Sequence, residues 1–263
     1  MGFHFTSSFL SAVTRRATLL ILGAGLMVSC APKTASDSFV GTCILPADQS
    51  ATLSGHWTVR SVPVAFHAGD WNSTEMQSIS NAADTWNTFY TSTTGTGMID
   101  TGGGRVSAVP KPSVVCALSD VAGGSFTSPV VIYKDMTWPY SNMPNAIALT
   151  TFCPTPGKPL NTFYMAMIEV NYQSFFVTGR KVPDLQSILL HEFGHLAGLN
   201  HSCETSGSSG VPICASANPD YSAAVMAPIF GFDSNGYGQI KQSLTENDQG
   251  RANCLYPTNA TSP

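Results

Sequence analysis

The stretch HEFGHLAGLNH, residues 191–201, decides how the rest of the chain is interpreted. His191 and His195 are four residues apart, so on a helix they lie on one face and can bind a common metal ion. Gly198 follows about one turn later. Because glycine readily adopts a positive φ, it can end the helix there and bring His201 to the same ion. The stretch therefore predicts a metal site whose ligands are His191, His195 and His201.

The ligand set predicts a catalytic zinc site with Glu192 as its base. Three imidazoles leave the fourth coordination position open, whereas a structural site is usually closed by four protein ligands, commonly including cysteine. Glu192 directly follows the first ligand and can reach a water beside the ion without binding the ion. A lone histidine on an apolar helix is more often a core residue. Here, however, five specified positions coincide in a chain with six histidines, so a zinc site is favoured.

Three stretches predict the helices. The helix of the metal site is expected to begin at Asp184, its N-cap, because apolar residues follow at a spacing of roughly 3.6 residues. A helix over residues 75–90 is expected after the capping residues 72–74. The last helix is expected over residues 245–256, where Asp248 completes an imperfect capping box.

Short apolar runs rich in Val, Ile and aromatic residues predict the strands. Residues 57–67 are expected to form a half-buried strand, with Pro63 at an edge or an end. Residues 91–104 and 200–238 are expected to be loops. No internal repeat is present, and the simplest interpretation is one α+β domain. The other strand candidates are Ser113–Leu118, Pro129–Tyr133, Ala146–Phe152 and Phe163–Tyr172.

The composition restricts the class of protein. Of the 263 residues, 43% are hydrophobic and 11% are charged, and the formal net charge is -4. A chain this apolar is expected to fold around a core rather than remain disordered. A mildly acidic, charge-poor chain lacks the basic surface that nucleic acid requires, so we expect no nucleic-acid partner.

The N-terminus predicts export. Arg15 and Arg16 precede an apolar run that is too short to span a bilayer but suits the core of a signal peptide, assigned to residues 1–29. The sequence LMVSC, ending at Cys30, resembles the lipobox of bacterial lipoproteins, whose cysteine carries lipid. An ordinary cysteine beside a conventional cleavage site is the alternative. We therefore expect a cell-envelope protein, anchored by lipid at the outer membrane, or a secreted one.

The remaining cysteines predict disulfides. The chain has seven cysteines, so lipidation of Cys30 leaves six, which suit three disulfides in an oxidising compartment. Six cysteines allow 15 pairings, and the sequence does not choose among them. The preferred pairs are Cys203 with Cys214, Cys116 with Cys153, and Cys43 with Cys254.

Three segments resemble metzincin metallopeptidases, nearest to the matrixins. HEFGHLAGLNH resembles their zinc-binding helix and turn, and SAAVMAP, residues 222–228, resembles their Met-turn, with Met226 as the methionine beneath the zinc. LTEND, residues 244–248, begins a segment that resembles their closing helix. The resemblance implies a twisted, mostly parallel sheet with one antiparallel edge strand, for which residues 146–152 are the candidate. It assigns the catalytic domain to residues 56–258. The Ser-, Thr-, Ala- and Pro-rich composition before it predicts a tether over residues 30–55, and residues 259–263 are expected to be a tail.

The chain also departs from matrixins. It has no PRCGxPD latency motif, and Cys43 could cap the zinc as a thiolate unless it forms a disulfide. The spacer between His201 and Met226 is longer than in typical matrixins and contains Cys203 and Cys214. These departures make inference of the substrate from the family unsafe.

The resemblance implies a zinc endopeptidase that hydrolyses internal bonds of proteins or peptides, with Glu192 as general base. The substrate pocket is expected to be shaped by residues 227–242, including Phe230, Phe232 and Tyr237. Calcium is a further cofactor in the family, but no ligand run assigns it here. The first alternative is an exported adhesion or binding lipoprotein with a non-catalytic zinc site. The second is a zinc hydrolase that acts on a non-peptide amide.

Overall fold

A mostly parallel sheet with a few helices organises the part of the chain that the computed structural model describes. That part comprises residues 41–117, 128–157, 160–177, 179–206 and 208–256, all within one compact unit. Its strands are β1 (Gly55–Trp57), β2 (Val62–His67), β3 (Ile99–Asp100), β4 (Val106–Ser107), β5 (Val130–Asp135), β6 (Ala148–Thr155) and β7 (Asn161–Asn171). Its helices are α1 (Ser73–Thr94), α2 (Leu185–Ala197), α3 (Pro219–Ala223) and α4 (Glu246–Leu255).

The strands run in the order β1-β7-β5-β2-β3, with β4 also beside β2 and β6 beside β7. Each of these pairings is parallel except that of β6 with β7. Among the described strands β6 pairs only with β7, so it lies at an edge of the sheet. The expected mostly parallel sheet is confirmed, and β6 contains most of the predicted edge strand, residues 146–152.

Residues 57–67, predicted as one half-buried strand, form two strands, β1 and β2, separated by a bend. Strand β2 pairs with β5 and also with β3 and β4. Val64 and Ala65 point to opposite faces, yet both are 0% exposed. The half-buried prediction was wrong, because a strand between parallel neighbours has core on both faces. Pro63 does lie at an end, since it is the second residue of β2.

Three stretches differ from their predicted secondary structure, one of them residues 200–238, predicted as a loop, which contain helix α3. Within Ser113–Leu118, predicted as a strand, Val115–Ala117 form a 3₁₀ turn. Cys116 in this turn is bonded to Cys153 of β6, and a short apolar run does not distinguish a strand from such a tethered turn. Residues 91–104, predicted as a loop, contain the end of α1 and strand β3.

Helix α1 packs against α2 and helps to fix its position. Asn72 accepts a hydrogen bond from the Glu75 backbone N–H, and Glu75 accepts one from Asn72, which completes a capping box. The helix ends at Gly95, whose φ of 80° suits glycine. In the interface, the indole of Trp86 donates to the carbonyl oxygen of Leu190 at 2.8 Å.

Residues 41–54, which precede β1, are folded, although the sequence predicts a tether over residues 30–55. Gln49 and Thr52 are fully buried. Thr52 accepts a hydrogen bond from the Asn200 backbone N–H at 2.8 Å, and the Gln49 side chain donates to the Ser202 carbonyl at 2.6 Å. The boundary was placed too late because polar composition alone does not show that these groups find partners in the fold.

The three preferred disulfides are all present: Cys43–Cys254, Cys116–Cys153 and Cys203–Cys214. Three disulfides indicate an oxidising compartment. The predicted signal peptide, Cys30 and the tail over 259–263 lie outside the described residues. Within the described part of the chain, no helix combines the length and apolar character needed to cross a membrane.

Candidate metal centre

Helix α2 begins and ends where the sequence predicts. Asp184 caps it by accepting a hydrogen bond from the Ser187 backbone N–H at 2.8 Å. Gly198 ends it with a φ of 109°. A Cβ atom at this position would overlap the carbonyl oxygen of Gly55. Both the backbone conformation and the close approach therefore require glycine, and the chain turns back towards the helix after it.

The three predicted ligands come together. The ring centroids of His191, His195 and His201 are 4.7 to 5.3 Å apart. One nitrogen from each ring lies within 4.8 Å of the others, so the group could hold a metal ion. Among the described residues, it is the one group of three or more His, Cys, Asp or Glu side chains with this geometry.

Backbone carbonyls set the tautomers of the first two ligands. His191 Nδ1 lies 2.7 Å from the Val225 oxygen, and His195 Nδ1 lies 2.7 Å from the Leu199 oxygen. Because a carbonyl oxygen can only accept a hydrogen bond, each Nδ1 carries the proton. Each Nε2 therefore presents a lone pair, which is the form that binds a metal.

Burial keeps the imidazoles neutral. It lowers the pKa of His195 to about 4 and that of His201 to about 3. The pKa of His191 is also well below its usual value, because of burial and then the neighbouring histidines. A metal therefore does not have to displace protons from these rings near neutral pH.

Glu192 lies beside the ligand group and is 5% exposed. Its Oε2 accepts a hydrogen bond from the Thr150 hydroxyl at 2.6 Å, which joins α2 to edge strand β6. Burial raises the pKa of Glu192 to about 7, although the Thr150 hydrogen bond opposes the rise. A carboxylate with a pKa near neutrality is suited to accept and return a proton.

Met226 lies under the helix that carries the ligands. It is fully buried, and a Cβ atom at Gly194 would overlap its sulfur. Gly194, between the first two histidines, therefore allows the methionine to approach the helix backbone. The neighbouring Val225 is the residue whose carbonyl orients His191. The predicted Met-turn segment thus contacts the ligand helix through both side chain and backbone.

Two buried charged residues of helix α4 contact the backbone of the segments beside His191 and His201. Its predicted cap, Thr245, is confirmed. Asp248 accepts hydrogen bonds from the backbone N–H groups of Val225 and Met226 at 2.9 and 3.1 Å. Arg251 donates to the carbonyl oxygen of Asn200, the residue before His201, at 3.0 Å. The sequence indicated Asp248 only as a capping residue, and it gave no signal for the contact of Arg251.

A disulfide borders the third ligand. Cys203 is bonded to Cys214, so its sulfur is not free to become a fourth metal ligand. Cys43 is likewise bonded to Cys254, which removes the thiolate cap considered from the sequence. Within the described residues, the candidate ligand group therefore consists of the three histidines alone.

The site opens into a cavity of about 910 Å³. Edge strand β6 forms one wall, through residues that include Ala148 and Thr150. Phe230 and Phe232 line the cavity as predicted. Tyr237 does not, and its side chain is 61% exposed. Lys241, within the predicted range 227–242, also lines the cavity, whereas Phe175 and Lys181 are wall residues that sequence reasoning missed.

No protein-family model matches the chain, and no curated protein matches it either. The functional proposal therefore depends on the geometry and chemistry of the site itself.

Proposed function

We propose that the protein is a zinc-dependent endopeptidase of the metzincin type. In this proposal His191, His195 and His201 hold the zinc and Glu192 is the general base. The observation that carries it is the convergence of three neutral imidazoles beside a buried carboxylate in an open cleft. Such an arrangement provides both a metal site with a free position and a proton acceptor.

Zinc fits the donors of this site. Three imidazole nitrogens with no thiolate or carboxylate in the group are the donor set of many catalytic zinc centres. The carbonyls of Val225 and Leu199 fix the first two rings with Nε2 free. The rings are neutral before any metal binds, because burial lowers their pKa values.

The residues divide the chemistry between them. A zinc ion held by the three histidines would supply a water of lowered pKa and would polarise the scissile carbonyl. Glu192 accepts a proton from the attacking water and later passes it to the leaving amine. Thr150 orients the Glu192 carboxylate by donating to Oε2, so that the carboxylate is held in place before substrate arrives.

A peptide substrate fits the cleft because one of its walls is a sheet edge. Strand β6 has β7 on one side and no other described strand on the second side. An extended peptide can add to such an edge through backbone hydrogen bonds, with its side chains alternating into and out of the cavity. This mode of binding suits internal bonds of protein chains.

Several features support the metzincin type. They are the HExxHxxGxxH stretch, the buried Met226 against Gly194, the antiparallel edge strand and the capped last helix. We also propose export with a lipid anchor on Cys30, based on the N-terminal sequence. The three disulfides support an oxidising location for the folded part.

The test is cleavage of unstructured casein by the purified protein, with zinc content measured on the same sample. We expect about one zinc per chain, cleavage that stops with a chelator, and recovery when zinc is added back. Stoichiometric zinc without cleavage of any protein would instead support the binding-protein alternative. A protein that binds no zinc would overturn both.

A further inference from the structure

Two of the four described lysines form no ion pair with a described carboxylate. Lys111 forms ion pairs with Asp135 and Glu169, and Lys134 pairs with Glu75. By contrast, no described carboxylate lies within ion-pair distance of Lys181 or Lys241. Both of these lysines line the cavity of the candidate metal centre.

Lys241 is held in the wall by two carbonyl groups. Its Nζ donates to the oxygens of Ser222 and Ala224, both at 3.0 Å. An ammonium group has three N–H donors, so one remains for a further acceptor. The side chain is half-buried. Its position is therefore fixed by the protein, while part of its hydrogen-bonding capacity is unused.

Lys181 is held against an aromatic side chain of the same cavity. Its Nζ lies 4.7 Å from the centroid of the Phe232 ring, a cation–π distance. Phe232 in turn stacks with Phe175 at 6.3 Å. The residue is exposed, so its ammonium reaches solvent in the open cleft.

The acids of the cavity wall do not neutralise these lysines. Glu192 is hydrogen-bonded to Thr150, and Glu204 lies on the loop after His201 with its carboxylate near Ser208. Neither makes an ion pair with a lysine of the wall. The charge of Asp248 acts on Lys241, but Asp248 is fully buried, pairs with Arg251 and makes no ion pair with the lysine. An acidic group on a bound peptide is therefore the complementary partner for the two ammonium groups.

We propose that Lys181 and Lys241 bind a carboxylate of the peptide substrate, so that the cleft selects substrates with an acidic group near the cleaved bond. The inference rests on the proposed peptidase function and names its substrate class. The carboxylate can come from an Asp or Glu side chain or from the C-terminus of the substrate. Both sources present the same chemistry to the two lysines.

The test uses a set of fluorescent peptides built on one casein sequence that the protein cleaves. For each position on either side of the cleaved bond, one peptide carries Glu at that position and a matched peptide carries its neutral isostere, Gln. Every peptide is made with a free and with an amidated C-terminus. We expect one feature, either Glu at one position or the free C-terminus, to raise kcat/KM about tenfold over the matched neutral peptide. A hydrogen bond to a charged group typically contributes a free energy of this size.

Variants separate the lysine effect from a general charge effect. Lys181→Met keeps an apolar side chain over Phe232 but removes the charge, so it should reduce the preference for the acidic peptide about threefold. Lys181→Arg keeps the charge and should retain that preference. Arg180→Met is the matched control. It removes the neighbouring exposed cation, which bonds to the Gln173 carbonyl and does not line the cavity. This control should leave the preference unchanged.

Binding decides the inference independently of catalysis. The same peptides are titrated against the metal-free protein by fluorescence anisotropy, and the acidic peptide should bind more tightly than its neutral match. Equal binding and equal cleavage of all matched peptides would overturn the inference while leaving the peptidase function intact. Preferential binding without any cleavage would sustain the carboxylate site and overturn the peptidase function. A preference that Lys181→Met leaves unchanged would also overturn the assignment.

Discussion

The carboxylate of Asp248 accepts a hydrogen bond from the backbone N–H of Met226 at 3.1 Å. Its other oxygen accepts one from Val225 at 2.9 Å, and the Val225 carbonyl orients His191. Asp248 is fully buried on α4. One acid from the last helix therefore fixes the turn that supports His191, the first candidate ligand.

Replacing Asp248 with Asn should weaken both stability and metal binding. An amide offers one acceptor oxygen where two backbone N–H groups now need acceptors, and it leaves buried Arg251 without its nearest negative charge. We expect a loss of about 2–4 kcal/mol in the free energy of unfolding. Zinc affinity should fall about 10–100-fold, measured by competition with a chromophoric chelator.

The control for this variant is Glu246→Gln, which removes an exposed acid from the same helix. It should change neither the free energy of unfolding nor the free energy of zinc binding by more than about 0.5 kcal/mol. A loss of stability in Asp248→Asn with unchanged zinc affinity would show that Asp248 does not position the ligand.

Replacing Glu192 with Gln should separate metal binding from catalysis. The variant keeps the three histidines and the size of the side chain, but an amide does not accept the proton. We expect full zinc content and a fall in kcat of about 10²–10⁴-fold on a casein-derived peptide. Turnover close to wild type, at equal zinc content, would remove Glu192 from its assigned role.

Gly194 and Met226 should be coupled energetically. A Cβ atom at Gly194 would overlap the Met226 sulfur, so Gly194→Ala should destabilise the protein by about 1–3 kcal/mol. Met226→Ala should cost about 2–5 kcal/mol through the cavity it leaves. In the double variant the overlap is relieved.

The measurement for this pair is a double-mutant cycle by urea denaturation. The double variant should be more stable than the sum of the single losses predicts. Strict additivity would mean that the two residues do not contact each other in solution.

Glu75 should make stability depend on pH in the acid range. Burial alone would raise its pKa, but hydrogen bonds from Lys134, the Asn72 backbone and Tyr172 outweigh it and lower the pKa. Because the folded pKa lies below the unfolded value of about 4.3, this contribution is complete above that pH. It is lost as the pH falls through the folded pKa.

The variant Glu75→Gln should therefore be less stable than wild type at pH 7, by about 1–2 kcal/mol, and the two should converge in acid. Denaturation curves between about pH 7 and 3 measure the difference. Asp84→Asn, at an exposed position of the same helix, is the control. Its free energy of unfolding should change with pH in parallel with that of wild type. A gap between Glu75→Gln and wild type that stays constant with pH would contradict the role of this ion pair.

The features that the sequence predicted correctly depend on residues close together in the chain. The caps at Asp184 and Thr245 and the turn at Gly198 each follow from residues within about one helical turn. The three histidines came from the spacing of a single stretch. The preferred disulfides were right, although their choice among 15 pairings used only proximity and the position of the ends.

The features that were missed join residues that are distant in sequence. The contacts of Asp248 with Met226 and of Arg251 with Asn200 require the last helix to dock on the metal site. Lys181 lines the cavity with its ammonium over the ring of Phe232, which lies far from it in the sequence. Two of the errors have the same origin. Burial of β2 depends on its neighbouring strands, and the conformation of Val115–Ala117 depends on the disulfide to Cys153.

The bond between Cys43 and Cys254 closes the folded chain into a covalent ring. A protein with the proposed peptidase activity would be at risk of cutting its own surface loops. A single cut between these two cysteines opens the ring but releases no fragment, because the disulfide still joins the two pieces. Self-inflicted damage should therefore accumulate as nicked, full-mass molecules that separate into pieces only after reduction.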